Sequence, residues 1–214
     1  MAKTATASLA DLLLDRHIAA GNGHRDALRF GDKRYAVNDL AALANRTANM
    51  LARAGVGRGA TVLAAVPPSP AFAALVVGAI KIGAAAVTFT GRIDAAAVKA
   101  ALAKAKPALV VAHLDHLAAV DAAVADKNPV ILVGQDTGAR RSFVNLIREE
   151  PSLLAVPGDD AAAGLGLFDG AALRRLGAAD LTALAAGKGD AVLAGVKAAA
   201  MLRALAKGEC FTLA

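Results

Sequence analysis

Residues Tyr35–Thr90 read YAVNDLAALANRTANMLARAGVGRGATVLAAVPPSPAFAALVVGAIKIGAAAVTFT, and two alternating periods within them decide the fold. In the first half Leu40, Leu43, Ala44, Thr47, Leu51 and Ala54 recur at helical spacing, with Asp39, Asn45, Arg46, Asn49 and Arg53 on the opposite face. Gly55-Val56-Gly57-Arg58-Gly59 supplies the glycines that close such a helix. Thr61–Val66 is then a short apolar run bounded by Gly59 and Pro67-Pro68, as expected of a strand buried on both faces. Pro70 pre-sets a first helical turn, Ala71–Ile82 continues it to Gly83, and Ala85–Thr90 reads as the next strand.

Working outward, the alternation persists. Asp94–Lys106 is an alanine-rich helix stopped by Pro107, Leu109–Ala112 a strand, Leu117–Ala125 a helix and Val130–Val133 a strand. Upstream, Ser8 caps a helix with Leu9, Leu12, Leu13 and Ile18 along one face. Ala27–Phe30 and Arg34–Val37 flank Gly31-Asp32-Lys33 as a hairpin. Downstream, Phe143–Glu149, Ala171–Leu176, Ala179–Ala186 and Asp190–Lys207 read as helices. Strands alternating with helices imply right-handed parallel crossovers. The expected class is α/β: a parallel doubly wound sheet with an N-terminal hairpin and an alanine-rich helical C-terminal tail.

Composition narrows the function classes. Hydrophobic residues make up 57% of the 214 residues but aromatics only 3%, so the core is built from alanine and short aliphatics. The formal charge is +6, yet lysines and arginines are scattered, without the basic stripe that nucleic-acid binding needs. Apolar stretches are broken by prolines or by His113, Asp115, His116 and Asp121 before reaching the roughly 20 residues of a membrane span. Cys210 is the single cysteine, which excludes an intramolecular disulfide. Met1–Ala10 does not have the pattern of a signal peptide. A cytoplasmic protein with no nucleic-acid or membrane partner is expected.

The order of short motifs resembles the opening part of adenylate-forming enzymes of the acyl-CoA synthetase type (the AMP-binding family). Those enzymes have a hairpin leading into Thr-Tyr-x-Glu-Leu, a helix closing on Leu-Gly-Val-x-x-Gly-Asp, a Pro-Asn-x-x-Glu-Phe helix entry and Lys-x-Gly-Ala-Val. Here the corresponding segments are Tyr35-Ala36-Val37-Asn38-Asp39-Leu40, Ala54-Gly55-Val56-Gly57-Arg58-Gly59-Ala60, Pro67-Pro68-Ser69-Pro70-Ala71-Phe72 and Lys81-Ile82-Gly83-Ala84. Ala36, Val37, Ala60 and Pro68 depart from the family's usual residues. The resemblance covers about Leu9 to Val133 and implies a division into an α/β lobe (1–134), a variable connection (135–158) and a helical tail (159–214) replacing the family's nucleotide-binding region.

In the family an Asp-Asp-x-Ala segment leads through a strand into a Ser/Thr/Gly-rich loop ending in Pro-Lys-Gly, whose backbone N–H groups and lysine surround the ATP phosphates. Asp159-Asp160-Ala161-Ala162 stands at the lead-in, followed by Gly164-Leu165-Gly166-Leu167-Phe168-Asp169-Gly170, which has no Ser, Thr or Lys. That glycine-rich stretch is expected to be a turn in place of the loop; its intervals match no dinucleotide fingerprint. Other groups carry no chemistry by themselves. His113 and His116 with Cys210 fall short of a closed zinc set, and His17 with His24 is weaker. Asp159 and Asp160 lack a base or nucleophile beside them. Glu149-Glu150, Lys188 and Lys207 read as exposed helix-end charges. No catalytic residue, metal ligand or cofactor-binding residue is therefore assigned, and ATP, CoA and magnesium are expected only if the family's activity is retained. The resemblance implies a truncated synthetase-like protein without autonomous adenylation, acting through a homo-oligomer or a full-length synthetase partner. An acid–CoA ligase or nucleotide/CoA binder with an altered site is the alternative, and a gene remnant the third.

Overall fold

The computed structural model describes residues 8–124, 129–138, 140–155, 162–188 and 196–213. Two sheets organise them. A small sheet of order β10-β1-β2 holds the hairpin β1 (Asp26–Phe30) and β2 (Lys33–Ala36), with β10 (Phe211–Leu213) parallel to β1. The main seven-stranded sheet has the order β7-β6-β5-β3-β4-β8-β9. Its strands are β3 (Thr61–Ala65), β4 (Ala85–Phe89), β5 (Leu109–His113), β6 (Val130–Val133), β7 (Arg141–Ser142), β8 (Gly164–Phe168) and β9 (Leu173–Gly177). All are parallel except β9, which pairs antiparallel with β8. The expected α/β architecture is present.

Helices cover both faces of the main sheet. One face packs on α4 (Ala95–Ala105) and α5 (Leu117–Asp121), through Val98, Ala101 and Val120. The other carries α2 (Val37–Arg53), α3 (Pro70–Lys81), α6 (Phe143–Arg148), α7 (Ala178–Ala185) and α8 (Lys197–Lys207). Sidedness follows from sequence: α2 has one apolar stripe and one polar face, whereas α3 is apolar all round because it lies between the sheet and α2. Gly78 permits that contact, since a Cβ there would sit 3.0 Å from the Ala44 carbonyl oxygen and 3.1 Å from the Ala48 nitrogen. The helix starts are capped as their residues dictate: Ser69 Oγ accepts from Phe72 N–H at 3.2 Å and Asp94 Oδ1 from Ala97 N–H at 2.9 Å. Asp39 Oδ2 accepts from Ala36 N–H at 3.1 Å.

Near the N-terminus a π-helical segment, Asp11–Asp15, runs into α1 (Arg16–Ala19). The wider turn re-aims the apolar face. Leu9, Leu13 and Leu14 are buried while Ile18 is 37% exposed, which corrects the face expected through Leu12 and Ile18.

Four further expectations are overturned. Ala171–Leu176, expected as a helix, contains most of β9, and within the Gly164–Gly170 stretch, expected as a turn, Gly164–Phe168 is the fully buried strand β8, with only Asp169 and Gly170 in the turn that follows. The glycines of β8 serve packing: a Cβ on Gly166 would lie 2.6 Å from Val87 Cγ2, and one on Gly164 3.1 Å from the Leu176 carbonyl oxygen. Asn49, expected to face solvent, is buried. Its Nδ2 donates to the carbonyls of Pro151 (3.0 Å) and Leu153 (2.9 Å) and its Oδ1 accepts from Ala155 N–H (2.9 Å), which fastens residues 151–155 along α2. Glu150, expected as an exposed helix end, is likewise buried and grips Arg53, with Oε1 3.0 Å from Nε and Oε2 3.1 Å from Nη2.

The tail is woven back into the lobe. Leu202 and Leu205 of α8 are buried with Leu13 and Leu14, and the Ala206 carbonyl in its last turn accepts from Arg16 Nη2 and lies 3.2 Å from His17 Nε2. Large apolar side chains left exposed among the described residues are Ile18, Phe30, Leu114, Val144 and Leu153, spread over different elements. The tail helices thus supply internally much of the apolar cover that the lobe needs.

Candidate functional site

In parallel α/β sheets ligands bind outside the carboxyl ends of the strands, because loops and helix N-termini converge there. At that edge a concavity of about 420 Å³ lies between the ends of β3 and β4 and the start of α8. Val66, Pro68 and Phe72 make its apolar wall; Thr88, Thr90 and Lys197 bring polar groups to it. Sequence reading missed these residues as a set, since nothing in the order of Thr88, Thr90 and Lys197 marks their proximity. The detectable signal was limited to two threonines at the end of an apolar run.

Beside the cleft stands the β8–β9 hairpin. Thr90 N–H donates to the Phe168 carbonyl at 2.8 Å, its Oγ1 lies 3.3 Å from the same oxygen, and Gly91 abuts the Asp169 carbonyl, which a Cβ would approach to 3.2 Å. The connection is the four-residue turn Asp169-Gly170-Ala171-Ala172. Asp169 Oδ1 accepts from Ala172 N–H at 2.7 Å and Ala171 N–H at 2.9 Å, and Asp169 N–H returns to the Ala172 carbonyl at 3.3 Å. The N–H groups of Ala172 and then Ala171 hold the carboxyl below its ordinary value of 3.8. The turn therefore stabilises its own anion with the backbone donors that a phosphate would require.

This geometry sets a pH dependence. A carboxylate whose folded value is depressed contributes stability that is fully present above the unfolded value and is lost as pH falls through the folded one. Asp169→Asn is thus expected to be less stable than wild type at neutral pH, with the gap closing between the ordinary value of 3.8 and more acid pH. Urea unfolding of both proteins at about pH 7 and about pH 2.5 checks this; a constant gap would assign the effect to shape.

The remaining sequence candidates do not converge. His113 Nδ1 accepts from Asp115 N–H at 3.3 Å and lies 3.2 Å from Asp115 Oδ2, closing a local turn at the end of β5. His116 is shifted below its ordinary value of 6.5 mainly by burial, against the opposing pull of Asp115. Cys210 is exposed beside β10 in the other sheet. His17 docks on α8, and His24, Glu149, Lys188 and Lys207 are exposed. Asp159 and Asp160 lie outside the described residues. No group of three or more His, Cys, Asp or Glu side chains among the described residues could hold a metal ion. No described helix is long and apolar enough to cross a membrane.

A family model, AMP-binding enzyme, matches residues 15–162. The chain is 34% identical over 92 residues to a 3-hydroxybenzoate–CoA ligase of Aromatoleum sp. (strain CIB), a match covering 43% of this chain and 18% of that ligase. Its fold is that of the Brucella canis acyl-CoA synthetase (TM-score 0.78, 20% identity), over 96% of this chain and 42% of that one. The N-terminal domain of FACL13 from Mycobacterium tuberculosis superposes with TM-score 0.77 at 22% identity over 97% of this chain and 57% of that one. The chain thus spans less than a fifth of that curated relative and under half of the Brucella synthetase, yet nearly all of it, tail included, falls within the shared fold. With the matched region extending from the π-helical segment to the threshold of β8, the chain belongs to the AMP-binding enzyme family.

Proposed function

We propose that this acyl-CoA ligase-like lobe is a pseudoenzyme of the cytoplasm that does not carry out adenylation by itself and acts by association, with a second copy or with a full-length synthetase. The observation that carries this reading is the Asp169–Ala172 turn. It stands where the resemblance would put the Ser/Thr/Gly-rich loop ending in Pro-Lys-Gly. In its place are one acidic and no basic residue, and two of its N–H groups are already bonded to Asp169. An incoming triphosphate would meet a carboxylate held in its charged form, and like charges in one site repel. The residues present do not fit ATP phosphates.

A second reading is favoured by the 420 Å³ cleft beside the turn, which is large enough to accept part of a small organic molecule. On that reading the chain is an acid–CoA ligase or a nucleotide or CoA binder with an altered site. ATP–pyrophosphate exchange with a panel of carboxylic acids separates the two. The first predicts no exchange above background, and no thermal shift with ATP or AMP. Exchange by the chain alone would overturn it. Light scattering of the chain, alone and mixed with a full-length synthetase, tests association; a monomer in both would remove that half of the reading.

A further inference from the structure

Between α2 and α6 runs an open groove of about 510 Å³ that continues to Arg34 and Tyr35 of the hairpin. Its α2 wall is Asp39, Ala42, Leu43 and Arg46, spaced so that all four lie on one helical face. Its α6 wall is Val144, Ile147 and Arg148, with the same spacing. The floor is apolar, and Val144 is 46% exposed although its neighbours Phe143 and Ile147 are buried. Three arginines face one carboxylate, and that carboxylate, Asp39, is bonded through Oδ2 to the Ala36 N–H. Arg46 Nη1 reaches the Arg148 carbonyl at 3.4 Å, which sets the groove's width, and Arg34 shares Asp26 at 3.5 Å in a solvent-exposed pair. The Arg148 guanidinium makes no salt bridge among the described residues and is exposed.

We propose that this groove docks an acidic amphipathic helix of a partner protein. Its apolar side chains, recurring every three to four residues, would lie on Leu43, Val144 and Ile147, and its flanking carboxylates would meet Arg46 and Arg148 at one end and Arg34 at the other. The inference rests on the reading that the lobe acts by association, and it names the surface and the partner's chemistry. A trough walled by two helices is complementary to a third helix, whereas a lipid surface calls for a flat or convex basic face. Self-docking of this surface would set arginines against arginines in a chain of net charge +6, so the complementary occupant is acidic.

The chain has one tyrosine and no tryptophan, so its tyrosine emission reports on Tyr35 in the groove alone. The probes are a synthetic helix of about 14 residues with leucines on one face flanked by glutamates, the same peptide with lysines for glutamates, and phosphatidylglycerol vesicles. The acidic peptide is expected to change Tyr35 emission saturably and to bind more weakly as salt rises. Arg46→Glu combined with Arg148→Glu should weaken the acidic peptide by about tenfold or more and strengthen the lysine peptide. Val144→Asp should weaken the acidic peptide as well. Arg148→Ala, at an exposed position, gives the same test if the double variant does not fold. Equal binding of both peptides, binding of neither, indifference to the arginine variants, or binding to vesicles in place of the peptide would each overturn the proposal. Exchange activity measured on the same preparation keeps the two readings apart. Exchange with intact peptide binding sinks only the non-adenylating reading, and silence in both assays sinks only the groove.

Discussion

Asp15→Asn should lower the stability of the chain by about 2–4 kcal/mol, whereas Lys81→Met should cost less than about 1 kcal/mol. The asymmetry comes from where each partner sits. Lys81 Nζ lies 2.9 Å from both oxygens of Asp15, but the lysine side chain is 3% exposed and the aspartate 45%. The asparagine leaves an ammonium inside the fold with no opposing charge and replaces one of its two acceptors by an NH2 group that cannot accept, and that desolvation is the larger penalty. The upper end of the usual range for buried pairs is discounted because Asp15 is half in water. Removing the ammonium instead leaves a carboxylate that water can still hydrate, while methionine keeps the stem's packing against its neighbours. Urea unfolding of both variants at neutral pH decides the matter. Equal losses would show that the lysine stem or the helix turn at Asp15, and not the buried charge, governs stability here.

That pair also shows what was and was not legible in the sequence. Lys81 was visible as part of a motif order, Lys81-Ile82-Gly83-Ala84, but its role was not, because its partner is 66 residues away on a π-helical turn that no period announces. From Tyr35 to Val133 the reading was direct. Short apolar runs punctuated by Pro67-Pro68, Gly83 and Pro107 left few alternatives to parallel strands with crossover helices, and β3, β4, β5 and β6 lie there. Beyond Gln135 local signals and tertiary demands diverge. Ala171–Leu176 has strong helix formers, yet pairing with β8 in the register Leu165↔Leu176 and Leu167↔Arg174 outweighs that propensity. Gly164 and Gly166 looked like loop glycines because single-sequence reading cannot distinguish conformational freedom from close packing on Ala85 and Val87. Asn49 reads as exposed for the same reason: a polar residue on a helix's polar face is exposed unless another segment crosses it, and residues 151–155 do. Glu150 is drawn in by Arg53, 97 residues away in the chain. Of the candidate site, only the acidic Asp169 in a stretch without Ser, Thr or Lys is legible in the sequence, while the cleft next to it depends on three separated elements.

Phe168→Ala should be the most damaging change at the β8–β9 hairpin, costing about 3–5 kcal/mol. The ring is fully buried at the end of β8 and meets Phe89 edge to face, with centroids 5.8 Å apart and planes at 89°. On this face Gly164 and Gly166 contribute no side-chain volume, so Phe168 supplies most of the apolar bulk of β8 against Val87 and the helix layer of α4. Little nearby can collapse into the space a truncation leaves. Phe168→Leu should be milder, at about 1–2 kcal/mol, since most of the volume remains. A double-mutant cycle with Phe89→Leu should return a coupling of about 0.5–1.5 kcal/mol for the ring pair, and strict additivity would show that the rings act as independent hydrophobes. The consequence reaches the turn. Because the Phe168 carbonyl holds Thr90 and the next residue's carboxylate holds the amides of Ala171 and Ala172, the turn is anchored by the core beneath it. Wild-type protein should therefore protect the Ala171 and Ala172 amides from hydrogen exchange, and Phe168→Ala should abolish that protection before global unfolding. Fast exchange at both amides in the wild type would mean that the hairpin is a loose loop, and the Asp169 turn would then be no obstacle to a phosphate.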